Sequence, residues 1–181
     1  MNTELVWSRP MRTMLIIVAI SFPLTSYGVP DAYRQIAEKN GVSAELIYSI
    51  ALVESGRTTN GLYRPWPWTL NINEKPYRFK TRKEAYKTLK KEIDSGNQAI
   101  AIGLMQIYWR YNKSYFSDPW EALDPYKNID VGAKILTFFK NQRGTFENAV
   151  GAYYSPNDQS KAEKYKSKVR AKLALVLGGK A

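Results

Sequence analysis

The chain has no cysteine and no histidine among its 181 residues. Lack of cysteine excludes disulfides, thiolate metal sites and a lipid-modified cysteine. Lack of histidine removes the commonest transition-metal ligand and the usual base of a serine hydrolase. Catalysis would have to rest on carboxylates, hydroxyls or amides, and no metal or other cofactor is expected. Long apolar runs are scarce as well. Met14 to Ile20, extended by Ser21 to Leu24, gives roughly ten residues, whereas spanning a bilayer takes about 20. Arg9 and Arg12 precede this stretch and the small residues of Ser26-Tyr27-Gly28 follow it. That order reads as a secretory signal peptide over residues 1–28, removed to leave residues 29–181 as one domain with no stable membrane span.

What is present in excess is positive charge. The 27 lysine and arginine residues outnumber the 16 aspartate and glutamate residues, for a net charge of +11. A basic exported protein meets a polyanion: nucleic acid, anionic lipid or the bacterial wall, and charge alone does not choose among them. Lys161, Lys164, Lys166, Lys168, Arg170 and Lys172 read as the solvated face of a C-terminal helix. That helix lacks interleaved aromatics and any nucleic-acid motif, so nucleic acid is not expected as a partner.

The pattern is mostly helical. Asp31 to Lys39 forms a helix stopped by Asn40-Gly41, and Ser43 caps the next. Pro65, Pro67 and Pro76 interrupt the pattern from Leu62 to Phe79, where Trp68, Leu70 and Ile72 alternate with Thr69, Asn71 and Asn73, predicting a hairpin. Thr81 and Glu84 have capping-box spacing for a helix ending near Gly96. Further helices are predicted from about Leu104 to Tyr108, Pro125 to Gln142, Phe146 to Tyr153 and Asp158 to Leu177, with Thr145 and Asn157 as caps. Val131, Ile135, Leu136, Phe138 and Phe139 are assigned to the core.

Within the second helix, Ile47, Ile50, Ala51 and Glu54 fall at i, i+3, i+4 and i+7, which sets Glu54 on an apolar face. Desolvation there disfavours the carboxylate and raises its pKa, so the group can hold a proton near neutral pH and pass it to a leaving oxygen. The competing reading is an ordinary, partly exposed residue at a helix end before Ser55-Gly56.

Three separated segments carry a resemblance. Glu54-Ser55, Gly103-Leu104-Met105-Gln106-Ile107 and Gly151-Ala152-Tyr153-Tyr154-Ser155-Pro156, with Asn128-Ile129-Asp130-Val131-Gly132-Ala133 before the last, resemble lytic transglycosylases of the soluble, lysozyme-like (SLT domain) type. Trp66-Pro67-Trp68-Thr69-Leu70-Asn71 and the Gly-x-Tyr-x-Ser-Pro ending look like the branch that serves conjugation, pilus and secretion machines. The resemblance implies a mainly α, lysozyme-like α+β domain with a small β-hairpin beside the cleft. It also implies a wall-associated enzyme of the periplasm that cleaves the β-1,4 bond between N-acetylmuramic acid and N-acetylglucosamine and leaves a 1,6-anhydromuramoyl end. Its partners would be peptidoglycan glycan strands and components of such machinery.

Carried over residue by residue, Glu54 is the acid and then the base, and Ser55 bonds it or the substrate's N-acetyl group. Met105 and Gln106 line the cleft, Tyr153 donates its hydroxyl toward Glu54, and Tyr154 contacts substrate. Tyr108 and Tyr154 stand where many relatives have Asn. A glycosidase using water needs a second carboxylate, for which Asp118, Glu121, Asp124 and above all Asp130 are the candidates. A hydrolytic lysozyme and a non-catalytic wall-binding assembly subunit are the alternative functions.

Overall fold

The computed structural model describes residues 28–178. The signal peptide expected over residues 1–28 lies outside them, save for Gly28. The short helix α1 (Asp31–Asn40) turns at Gly41 into α2 (Ala44–Ser55), where the Ser43 Oγ accepts the Leu46 N–H at 3.2 Å. Every residue of α2 from Ile47 to Leu52 is buried. A helix apolar on nearly all sides is stable only when surrounded, and α2 is packed by α1, by α6 (Pro125–Arg143) and by α8 (Gln159–Gly178). Between α6 and α8, α7 (Phe146–Tyr154) packs against both, its N-terminus capped by Thr145.

Two small sheets follow α2. Strands β1 (Gly56–Thr59) and β2 (Leu62–Pro65) form one hairpin, and β3 (Thr69–Ile72) and β4 (Lys75–Arg78) form a second. Both use two-residue turns with positive φ at each position, 51° and 76° at Asn60-Gly61 and 50° and 67° at Asn73-Glu74. Such turns match the right-handed twist of paired strands. The second hairpin continues through β5 (Ile100–Ile102) to β6 (Ile107–Tyr108) in an antiparallel sheet of order β4-β3-β5-β6. The helix α3 (Arg82–Asp94), capped by Thr81, connects β4 to β5. Short helices α4 (Trp109–Asn112) and α5 (Pro119–Ala122) lead into α6. The result is the expected mainly helical, lysozyme-like α+β fold. No helix among the described residues is long and apolar enough to cross a membrane.

Four expectations are corrected. Leu104 to Tyr108 is not a helix but a turn entering β6, because Gly103 at φ 80° and Gln106 at φ 46° stand in the left-handed region. The strand pattern beginning at Leu62 divides between two hairpins, with β2 pairing backward to β1. Asp158, not Asn157, caps α8, its Oδ1 accepting the Lys161 N–H at 3.0 Å. Phe138 is 52% exposed, so only part of the expected α6 core is core: Val131 and Leu136 are fully buried.

Candidate active site

Glu54 is the penultimate residue of α2. The chain leaves the helix there because Gly56 is extended, and a Cβ at Gly56 would run into the Leu52 carbonyl oxygen and the Tyr63 hydroxyl. This close approach lets the Tyr63 hydroxyl donate to the Leu52 carbonyl at 3.0 Å, fastening the first hairpin beside the carboxyl. Glu54 keeps part of its surface open while protein atoms crowd its carboxyl group. Burial pushes its pKa from the usual 4.5 up to about 7, against the opposing pull of a hydrogen bond from Tyr165 and the charge of Lys168. The negative end of the α2 dipole also disfavours a carboxylate at this place. The Tyr165 hydroxyl, on α8, donates to Glu54 Oε1 at 2.5 Å.

Tyr165 is the residue the sequence reading missed. The hydroxyl expected at Glu54 was that of Tyr153, which instead donates to the Met105 carbonyl at 2.8 Å. Tyr153 still lies in reach of the acid's field: burial first, then the Glu54 charge, holds its phenol well above the usual range. Tyr154, 56% exposed, stacks on Tyr165 with ring centroids 4.7 Å apart and planes 5° from parallel. One signal for Tyr165 was available. Ala162, Tyr165 and Val169 are spaced i, i+3 and i+7 along the lysine-rich helix, and all three are buried.

Two other expected substrate contacts are turned inward. Ser55 is fully buried, its Oγ directed at the Ala51 carbonyl (3.1 Å) and the Leu104 carbonyl (2.8 Å). It bonds neither Glu54 nor the cleft, and ties the end of α2 to the glutamine segment. Met105 is also fully buried, its side chain against Gly132, where an added Cβ would lie 2.7 Å from Met105 Cγ. Gln106 is half-buried, and its Nε2 donates to the carbonyls of Gly103 (2.8 Å) and Thr69 (3.3 Å). The amide therefore stiffens the turn from which it projects.

That turn is held from below by Asn128, 1% exposed on α6. Its Oδ1 accepts the Met105 N–H at 2.9 Å, and its Nδ2 donates to the Ile102 and Ala122 carbonyls at 2.9 and 3.0 Å. Gly103 is required beside it, since a Cβ there would stand 2.5 Å from Asn128 Nδ2.

A cleft of about 740 Å³ lined largely by aromatics, including Tyr108, Tyr111, Phe138, Tyr153 and Tyr154, reaches the acid through Tyr154, which stacks on the Tyr165 that bonds Glu54. Its size falls in the range of small-molecule sites, about 300–1,000 Å³. Ile135 and Phe139, expected in the core, pack against its edge and line the cleft as well.

The candidate second carboxylates are engaged elsewhere. Asp130 takes Lys134 (2.7 Å), Asn40 (3.0 Å) and Lys39 (3.3 Å) against α1. Burial raises its pKa, but these three partners outweigh burial and hold it below the usual range. Asp118 and Asp124 cap α5 and α6, and Glu121 accepts the Ser117 N–H. Among the described residues no group of three or more acidic side chains could hold a metal ion.

A family model described as Transglycosylase SLT domain matches residues 70–175. The match takes in the glutamine turn, Asn128, Tyr153, Tyr154 and Tyr165, and begins beyond Glu54. No curated protein and no solved structure matches the chain.

Proposed function

Because the chain belongs to the transglycosylase SLT domain family, we propose that it is a peptidoglycan lytic transglycosylase with Glu54 as its single acid and base. The observation that carries the reading is the crowded carboxyl of Glu54, with a pKa near 7 and Tyr165 as a fixed donor. Protonated Glu54 gives its proton to the glycosidic oxygen as the bond from the muramoyl anomeric carbon breaks. The carboxylate then takes the proton of the muramoyl 6-hydroxyl, whose oxygen closes on the anomeric carbon. The product is a 1,6-anhydro end, Glu54 is protonated again, and no water is consumed.

A hydrolase of the inverting or retaining kind needs a second carboxylate several ångströms from the first. The principal charged and hydrogen-bonding partners of Glu54 are Tyr165 and Lys168, neither of them a carboxylate, which favours the transglycosylase over the lysozyme reading. Stacking on Tyr108, Tyr111, Tyr154 and Phe138 would hold the sugar rings. The Asn-to-Tyr departures at 108 and 154 exchange amide contacts for aromatic faces. The site of action would be the periplasm. The Trp66 to Asn71 segment supports a role in opening the wall for a conjugation, pilus or secretion apparatus. It bridges the two hairpins, with the Trp66 indole donating to the Phe79 carbonyl at 2.7 Å.

The test is digestion of purified peptidoglycan by residues 29–181, with products read by mass spectrometry. Anhydromuropeptides are expected, and Glu54→Gln should yield none. Reducing ends in place of anhydro ends would make the protein a lysozyme. Binding without release of fragments would make it a wall-binding subunit.

A further inference from the structure

The muramoyl ring that must set its anomeric carbon against Glu54 is also the sugar that carries the stem peptide. On the transglycosylase reading, on which this inference rests, a stem therefore leaves the site close to that carboxyl. The helix beside it carries a row of cations. Lys164, Lys168 and Lys172 stand at i, i+4 and i+8 on α8, one ridge with about 6 Å of rise between neighbours. Lys168 and Lys172 follow Tyr165 by three and seven residues, so they project from the side of α8 that holds Glu54. Lys168 is near enough for its charge to act on the acid. Lys172 reaches across to the first hairpin, its amine 4.3 Å from the centroid of the Tyr63 ring.

The other cations of this helix are already paired. Lys161 meets Asp158, Lys166 meets Glu163 and Arg170 meets Glu147. Lys164, Lys168 and Lys172 form no salt bridge among the described residues, Lys168 acting on Glu54 only at longer range, and Lys164 and Lys168 are exposed. Half the basic residues of one helix are thus neutralised within the fold, and of the half left over Lys168 acts on the acid and Lys172 reaches the hairpin after it, with Lys164 one turn before Lys168.

We propose that the row Lys164, Lys168 and Lys172 is a subsite for the carboxylates of the stem peptide, so that the enzyme selects glycan strands with acidic stems. A stem whose carboxyl groups are amidated would lose these contacts, and a strand stripped of its stems would have nothing to place there.

The experiment compares three sets of soluble glycan oligomers: stems with free carboxylates, stems with the same carboxyls amidated, and stems removed. Anhydro product is followed for the wild type at low salt. KM should be about three- to tenfold lower for the acidic stems, the size of a few partly exposed charge contacts. About 0.5 M salt should close the gap by screening, and Lys164→Gln with Lys172→Gln should raise KM on acidic stems toward that on amidated ones. Turnover of all three sets with equal KM would overturn the subsite and leave the transglycosylase reading standing. Absence of anhydro product from every set would instead overturn that reading, and the subsite with it.

Discussion

Replacing Glu54 by Gln should do more than stop the reaction: it should stabilise the fold, and only at neutral to alkaline pH. A carboxyl whose pKa rises from 4.5 to about 7 on folding favours the folded state fully below pH 4.5. That contribution is lost as pH climbs through 7, because ionisation is then harder in the folded chain than in the unfolded one. At about 1.36 kcal/mol per pH unit, and with part of Glu54 still open to water, the loss comes to about 2–3 kcal/mol. Gln has the same shape, keeps an oxygen to accept from Tyr165, and has no charge to desolvate. Thermal melts followed by circular dichroism should therefore superimpose at pH 4. At pH 8 the variant should melt higher by roughly 4–12 °C, given about 2–4 °C per kcal/mol for a domain of this size. The same preparation should release no anhydromuropeptides at either pH. If the variant is no more stable than wild type at pH 8, or if its advantage appears at pH 4, the carboxyl is not held away from water and the acid assignment loses its physical basis.

Tyr165→Phe removes the donor that favours ionised Glu54, and a hydrogen bond to a charged group is worth about 1.5–3 kcal/mol. The alkaline limb of kcat/KM, set near pH 7 by the need for a protonated Glu54, should move up by about one to two pH units while kcat falls. An unmoved limb would dissociate Tyr165 from the acid. Asn128→Ala leaves the Met105 N–H and the Ile102 and Ala122 carbonyls buried without their partner, which should cost at least about 3 kcal/mol in urea unfolding, at about 1 kcal/mol or more for each of the three groups. Gly103→Ala adds a strained φ of 80° to a clash with Asn128. It should cost at least about 2 kcal/mol and weaken turnover by shifting the glutamine turn.

Local signals in the chain were legible where local chemistry decides the structure. Ser43, Thr81 and Thr145 cap the helices expected of them, because a cap is a bond between a side chain and a backbone N–H three residues on. The apolar spacing before Glu54 likewise anticipated a carboxyl against a hydrophobic wall. The first hairpin was also written locally, in Asn60-Gly61, but Gly56 to Thr59 has no apolar alternation to mark it as a strand. The helix expected over Leu104 to Tyr108 failed for a different reason. Its residues suit a helix, and contacts from across the fold, by Asn128, Ser55 and Tyr153, impose the turn.

The misassigned site residues share one cause: each is fixed by a partner far along the chain. Ser55 bonds Leu104 across 49 positions, Tyr153 bonds Met105 across 48, and Tyr165 bonds Glu54 across 111. A motif identifies which segments meet, yet not which atoms within them face each other. Ser55 and Tyr153 are recruited to hold the glutamine turn against α2 and α7, which leaves the acid to be held by α8. A helix rich in lysine reads as solvated surface until its minority of apolar positions is traced inward. Once Tyr165 is placed at Glu54, the lysines spaced three and seven residues after it come to the same side, so the helix that orients the acid also lays positive charge along its approach.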